Sequence, residues 1–270
     1  MNVSRLLRFL VRLAAATTMG VFCLLVGFVL LNGIPNLRPS LFALRYSSEN
    51  VSMLPAIVNT FIMTLLSLLI AVPLGIGAAI YLVEYAGRSN RLVSVVRMAA
   101  ETLSGIPSIV YGLFGLLFFV MSLKLGLSLF SGALTLAIMI LPLILRTTEE
   151  ALKAVPDSYR EGSFGLGAGR LRTVLRIVLP SAVPGILAGV ILAVGRIVGE
   201  TAALIFTAGT VADLPKGLLS SGRTLSVHMY VLANEGLYTD QAYATAVVLL
   251  VIVFGINALS GWVGKRITKG

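Results

Sequence analysis

Charge is scarce in this chain. Only 12% of its 270 residues are Asp, Glu, Lys or Arg, about half the share of an ordinary soluble domain. That scarcity, together with 57% hydrophobic residues and a mean hydropathy of +0.98, excludes a soluble enzyme and a disordered regulator. A single cysteine, Cys23, excludes an internal disulfide framework and a cysteine-rich metal site. A single histidine, His228, excludes a His-based zinc site or catalytic triad within the chain. No G-x-x-x-x-G-K-S/T run is present, so the chain has no phosphate-cradling loop with which to hydrolyse ATP. The net charge of +10 would fit nucleic acid, but there is too little hydrophilic sequence to present it, and the bilayer is the better explanation.

What the chain has is long apolar runs. A bilayer core about 30 Å thick needs roughly 20 apolar residues per helix. Six stretches meet or approach that length: 13–31, 56–83, 106–123, 127–145, 182–208 and 242–263. The first follows Arg5, Arg8 and Arg12, like the start of a signal peptide, yet its apolar run is too long and lacks a cleavage pattern, so it reads as a retained anchor. The third and fourth are separated only by Lys124, Leu125 and Gly126, which predicts a tight hairpin. With the N-terminus cytoplasmic, fifteen Lys and Arg fall inside and five outside, so the positive-inside rule puts both termini in the cytoplasm. The expectation is an all-α polytopic protein with six transmembrane helices. It divides into residues 1–55 (cytoplasmic segment, first helix, external loop), a transmembrane unit 56–265 and a cytoplasmic tail 266–270.

Two connections are long, one cytoplasmic before Pro180 and one external, 209–241. The external one carries an apolar-rich stretch, 222–236, that fits either a surface helix or a segment folding back between spans. In the cytoplasmic one, Asp157 and Ser158 follow Pro156 as helix starters, Gly165, Gly167 and Gly169 break the helix, and a basic amphipathic segment follows. This predicts helix, turn, helix.

The fifth span carries Arg196 and Glu200 within an apolar run. An intramembrane charge costs at least about 2.5–3.5 kcal/mol on insertion scales, so it should face the protein interior or a watery path. Four-residue spacing predicts one helical face. The pair is either a self-satisfied ion pair or an anion site in which the guanidinium meets an oxyanion bidentately. Gly185 with Gly189 and Gly195 with Gly199 form two G-x-x-x-G motifs that permit close helix approach. Pro73, Pro107 and Pro142 mark possible kinks, Asn59 and Asn257 interhelical hydrogen bonds, and Glu101 a partner for Arg97.

The cytoplasmic segment resembles the EAA loop of bacterial ABC importer permeases, with type I permease architecture. Glu161, Gly167, Ile177, Leu179 and Pro180 fall at the spacing of E-A-A, three residues, Gly, nine residues, I-x-L-P, and Gly162 and Ser163 replace the two alanines. GIPSIVYGLFGL (105–116), GRIVGETAAL (195–204) and TLSVHMY (224–230) are similar to the phosphate permease family, PstA type, whose sister PstC type shares R-x-x-x-E-T. The resemblance implies a coupling loop at about 149–180 that docks on a separate ATPase. It implies a substrate pathway at Arg196, Glu200 and Thr201, and ATP-Mg bound only by the partner. The implied partners are a second permease (PstC type), an ATPase dimer (PstB type), an external phosphate-binding protein (PstS type) and inorganic phosphate, in the bacterial inner membrane. A permease for sulfate or molybdate, the PstC type, and a secondary transporter working without ATP are the alternatives.

Overall fold

The apolar runs become helices because the bilayer offers no partner for backbone N–H and C=O groups, which a helix satisfies internally. The computed structural model describes residues 3–86 and 91–268 and contains no strand among them. Arg88, Lys269 and the end of the expected tail lie outside the described residues. In chain order the elements are α1 (Val3–Gly33), α2 (Leu54–Ile80), α3 (Arg91–Ser104), α4 (Ser108–Gly115) and α5 (Leu129–Lys153). They continue with α6 (Asp157–Gly165), α7 (Arg170–Thr173), α8 (Leu179–Val198), α9 (Ala202–Thr207), α10 (Leu225–Glu235) and α11 (Thr239–Thr268). Wider π-helical turns extend α2 through Tyr81–Tyr85, extend α4 through Leu116–Ser122 and join α7 to α8 through Val174–Val178. Five helices are long and apolar enough to cross a membrane, six when one bent pair counts as a span. The chain is an all-α, polytopic membrane protein.

That bent pair is the expected third span, and it differs from the sequence reading. Its rod has eight α-helical and seven π-helical residues and turns by 103° from α3. The break falls at Gly105–Ile106–Pro107, where proline disfavours helix in the residue before it and has no N–H to continue the ladder. Pro107 therefore marks a sharp bend, while Pro73 and Pro142 sit inside continuous helices. The hairpin between the third and fourth spans is as tight as expected: Lys124 and Gly126 take positive φ, and Ser128 caps α5 by accepting from the Ser131 N–H at 3.2 Å.

The main core joins α2, α5, α8, α9 and α10 through Met63, Leu136, Ile140, Ile197, Leu204 and Val227. A second cluster, Ala79, Leu152, Val155, Val178, Ala182 and Ile186, underlies the loop that carries α6. By contrast α1 is largely exposed and rests on α11, with Phe28 edge-on to Tyr243. The external stretch does fold back: residues 222–228 are all buried, and α10 packs on α2 and α11.

Candidate functional site

The fifth span breaks where its charges lie. It was expected as one helix over 182–208, but α8 ends at Val198, Glu200 and Thr201 are non-helical, and α9 restarts at Ala202. Arg196 and Glu200 therefore do not form an i,i+4 pair, and no ion pair joins them. The cause is local. Gly199 is a poor helix former, and the Glu200 carboxylate accepts the Ala203 N–H at 3.1 Å, which competes with the helical ladder. The Glu200 carbonyl, freed by the break, accepts the Ser226 hydroxyl. Glu200 is only 8% exposed. Thr201 stands at the start of α9 with its hydroxyl towards the Gly199 carbonyl.

Arg196 points elsewhere. It is half-buried in the last turn of α8, within electrostatic reach of Tyr111 on α4, whose hydroxyl donates to the Leu103 carbonyl at 2.8 Å. Ala188, Leu192 and Gly199 are exposed at helical spacing around it, so Arg196 lies on the free face of α8. The glycines divide accordingly. Gly185 and Gly189 press against Ala151 and Thr147 of α5, as the first G-x-x-x-G predicts. Gly195 and Gly199 meet no neighbouring helix, so the second motif forms no helix contact among the described residues. On the opposite side α4 approaches α9 closely: a Cβ on Gly112 would stand 2.8 Å from the Ala203 Cα.

The outer segment closes this region from above. Asn59 donates at 3.1 Å to the carbonyl of Arg223, which precedes α10, so its expected interhelical bond runs to the connecting segment instead, and the Leu225 N–H donates to Thr60 at 2.9 Å. The Arg223 guanidinium stacks over Tyr46 at 4.7 Å, and His228 sits edge-on to the same ring. Burial, with the Arg223 charge adding to it, lowers His228 to about 3 against the opposing Val51 carbonyl, so the ring is neutral.

At the start of the fifth span the helix, turn, helix pattern forms as expected: α6, a turn through Gly167 at φ +82, then α7 and its π-helical continuation into α8. Gly167 occupies a left-handed conformation that other L-residues disfavour. Glu161 and Gly162 are exposed, and Tyr159, Phe164 and Leu166 stand out with them, Leu166 at 91%. Ser163 is the buried residue of α6, its hydroxyl 2.8 Å from that of Thr173. Ile177 and Leu179 are partly buried where the π turn meets α8, and Pro180 begins α8 on its exposed side.

Sequence reasoning missed the loop's main tether. Arg160 of α6 reaches Glu84 at the end of the second span, with Nη2 to Oε1 at 2.7 Å. The pair is 76 residues apart in sequence, and only the burial of two opposite charges reveals it. Arg97 pairs with Glu149 at 2.7 Å rather than with Glu101, which instead approaches Arg146 at 3.9 Å. The expected Arg97–Glu101 pair is thus corrected. The bend at Gly105–Pro107 separates α3 from the span and turns Arg97 towards α5.

Residues 71–269 match the family model described as the inner membrane component of binding-protein-dependent transport systems. A probable ABC transporter permease protein, YqgI, of Bacillus subtilis (strain 168) is 33% identical over 95% of this chain and 93% of its own length. The phosphate transport system permease protein PstA of Mycobacterium leprae (strain TN) is 34% identical over 75% of this chain and 67% of its own. Among solved structures, a chain of the bacterial alginate ABC transporter in complex with its alginate-loaded periplasmic protein superposes with a TM-score of 0.71. It covers 98% of both chains at 18% identity, which speaks for the fold alone. With the family model covering most of the chain, the helical fold has the type I importer architecture, and this chain belongs to the inner-membrane permeases of binding-protein-dependent ABC transport systems.

Proposed function

We propose that this chain is a membrane subunit of an ATP-driven inorganic phosphate importer, providing half of the translocation pathway. The observation that carries the reading is Arg196: an intramembrane guanidinium on the free face of α8, with no carboxylate paired to it among the described residues. Because the neighbouring glycines are also uncovered, a second permease of the PstC type would complete the site. A half-buried guanidinium suits a tetrahedral oxyanion, which it meets through two parallel N–H···O bonds. Glu200, engaged with α9, holds the break in place beside the path. Thr201 offers a hydroxyl at the same level. The similarity to the phosphate permease of M. leprae supports phosphate as the anion.

On this reading the exposed half of α6, with Glu161, Gly162 and the turn at Gly167, docks on an ATPase dimer of the PstB type, which binds ATP-Mg. Ser163, Ile177, Leu179 and Pro180 hold that surface to the fifth span. A phosphate-binding protein of the PstS type delivers phosphate from outside, and both termini are cytoplasmic in the bacterial inner membrane. One guanidinium does not choose among tetrahedral anions, so sulfate or molybdate is the second reading, and the PstC-type role in the same complex is a third. Uptake of radiolabelled phosphate by cells lacking and then regaining this chain tests the proposal. Restored uptake that excess phosphate suppresses and excess sulfate does not is the expected result; suppression by sulfate or molybdate instead would reassign the substrate.

A further inference from the structure

The face of α6 turned towards the membrane is anchored at very few points. Ser163 is its one buried residue, and its remaining hold on the spans is the Arg160 side chain. That guanidinium uses both edges of its fork. Nη2 donates to Glu84 Oε1 at 2.7 Å and to the Leu152 carbonyl at 2.9 Å. Nε lies 3.2 and 3.3 Å from the two Glu84 oxygens, and Nη1 donates to the Val155 carbonyl at 2.9 Å and to Asp157 at 3.2 Å. One side chain thus ties α6 to the end of the second span, the last turn of α5 and the linker between α5 and α6. The Glu84 hydrogen bond, against the cost of burial, holds Arg160 charged more firmly than usual.

A buried ion pair contributes little net stability compared with apolar side chains of the same volume, so stability is a poor reason for placing one here. Geometry is a better one. The pair joins α6 to a π-helical turn, Tyr81–Tyr85, while the chain itself joins α6 to α5 through the short linker 154–156 and to α8 through a second π-helical turn, Val174–Val178. Wide turns of this kind are uncommon and concentrate at functional positions. A displacement of α6 therefore reaches α5 and α8 along the chain, and only the Arg160–Glu84 bridge, among the ion pairs of the described residues, carries it across into α2.

We propose that Arg160 and Glu84 form a strut that passes movement of α6 to the inner end of the second span, so that the second and fifth spans move together when the ATPases close. This rests on the reading of α6 as the ATPase-docking element, and it makes both residues positioning residues that touch neither phosphate nor ATP. The test uses the complete importer with Glu84→Gln, Arg160→Gln and the double variant. It measures copurification of the ATPase, ATP turnover and phosphate taken up per ATP hydrolysed. Each single variant is expected to lower phosphate per ATP about tenfold, the double no further than either single, with copurification and turnover within about twofold of the parent. An unchanged ratio, or a double variant whose loss is the product of the two single losses, would overturn the strut. Should the glutamine variants fail to accumulate in the membrane, Arg160→Lys and Glu84→Asp keep the charges and alter the reach. A ratio lowered in both supports the strut, and a parental ratio in both overturns it. Failure of the unaltered chain to copurify an ATPase would instead remove the docking reading, and the strut with it.

Discussion

The two ends of the fifth span are held by different physics. At one end the chain enters through α6, a positive-φ turn and a π-helical turn, tied across to the other spans by charge. At the other end the helix breaks at Gly199–Thr201 and is held by hydrogen bonds from Ser226 and Ala203 and by close backbone packing on Gly112. The α6 end exposes aromatic and aliphatic side chains, which suits a surface made to be covered by another protein. At the outer end residues 222–228 are buried, which suits a plug that shapes a path within the membrane. On the function proposed above, the difference separates the two jobs of a permease, with energy arriving at one end and the anion handled near the other.

Substitutions at the two ends should therefore fail in different ways. The largest effect is expected from Arg196→Gln, which removes the guanidinium from the free face of α8. Losing two charge-assisted hydrogen bonds to the anion costs about 3 kcal/mol or more, hence at least about a 100-fold loss of phosphate uptake, while copurification of the ATPase and second permease is retained. Normal radiolabelled uptake by that variant would remove Arg196 from the pathway.

Glu161→Lys and Gly167→Asp should give the reverse pattern. The first inverts an exposed charge on the docking face. The second places a side chain at φ +82, a conformation that costs an L-residue roughly 1–2 kcal/mol. ATPase copurification is expected to fall about tenfold while the chain still assembles with the second permease; undiminished copurification of both variants would detach this loop from the ATPase.

Gly112→Ala probes the outer end by packing alone, since the new methyl would meet the Ala203 backbone. A loss of about 1–3 kcal/mol in stability is expected, read as a lower unfolding temperature in detergent. An unchanged temperature would mean that the α4–α9 contact is looser than described.

The smallest effect concerns acidity. His228 is held at about 3 in the fold against an ordinary 6.5, so as pH falls the unfolded chain takes the proton first. Its contribution is complete above about pH 6.5 and declines as pH drops towards 3. His228→Phe should flatten the loss of thermal stability over that window, and an equally steep loss in the variant would assign the acid sensitivity to other groups.

Much of the fold was legible because hydropathy responds directly to the bilayer. The six runs, the 124–126 hairpin and the helix, turn, helix of 157–180 all follow from residue type and local order. Hydropathy is blind to direction, however, so it ran the third span straight up to a 103° bend and carried the fifth through its break. The signals at both places were small, Pro107 after Gly105 and Glu200 after Gly199, and each is a local backbone effect that an average over 20 residues removes. Arg196 and Glu200 were found as unusual charges, but their relation was inferred from an unbroken helix that does not exist. Glu84 and Arg160 escaped notice because charges beside a span end are ordinary, and only tertiary packing distinguishes a buried pair from a solvated one.

The most direct test is reconstitution of the chain with a second permease, the ATPase and the external binding protein in proteoliposomes, measuring ATP hydrolysis when the binding protein carries phosphate or sulfate. Strong stimulation by the phosphate-loaded protein and none by the sulfate-loaded one is the predicted result. Equal stimulation by both would contradict phosphate selectivity, and stimulation by neither would contradict the assignment of this chain to an ATP-driven phosphate importer.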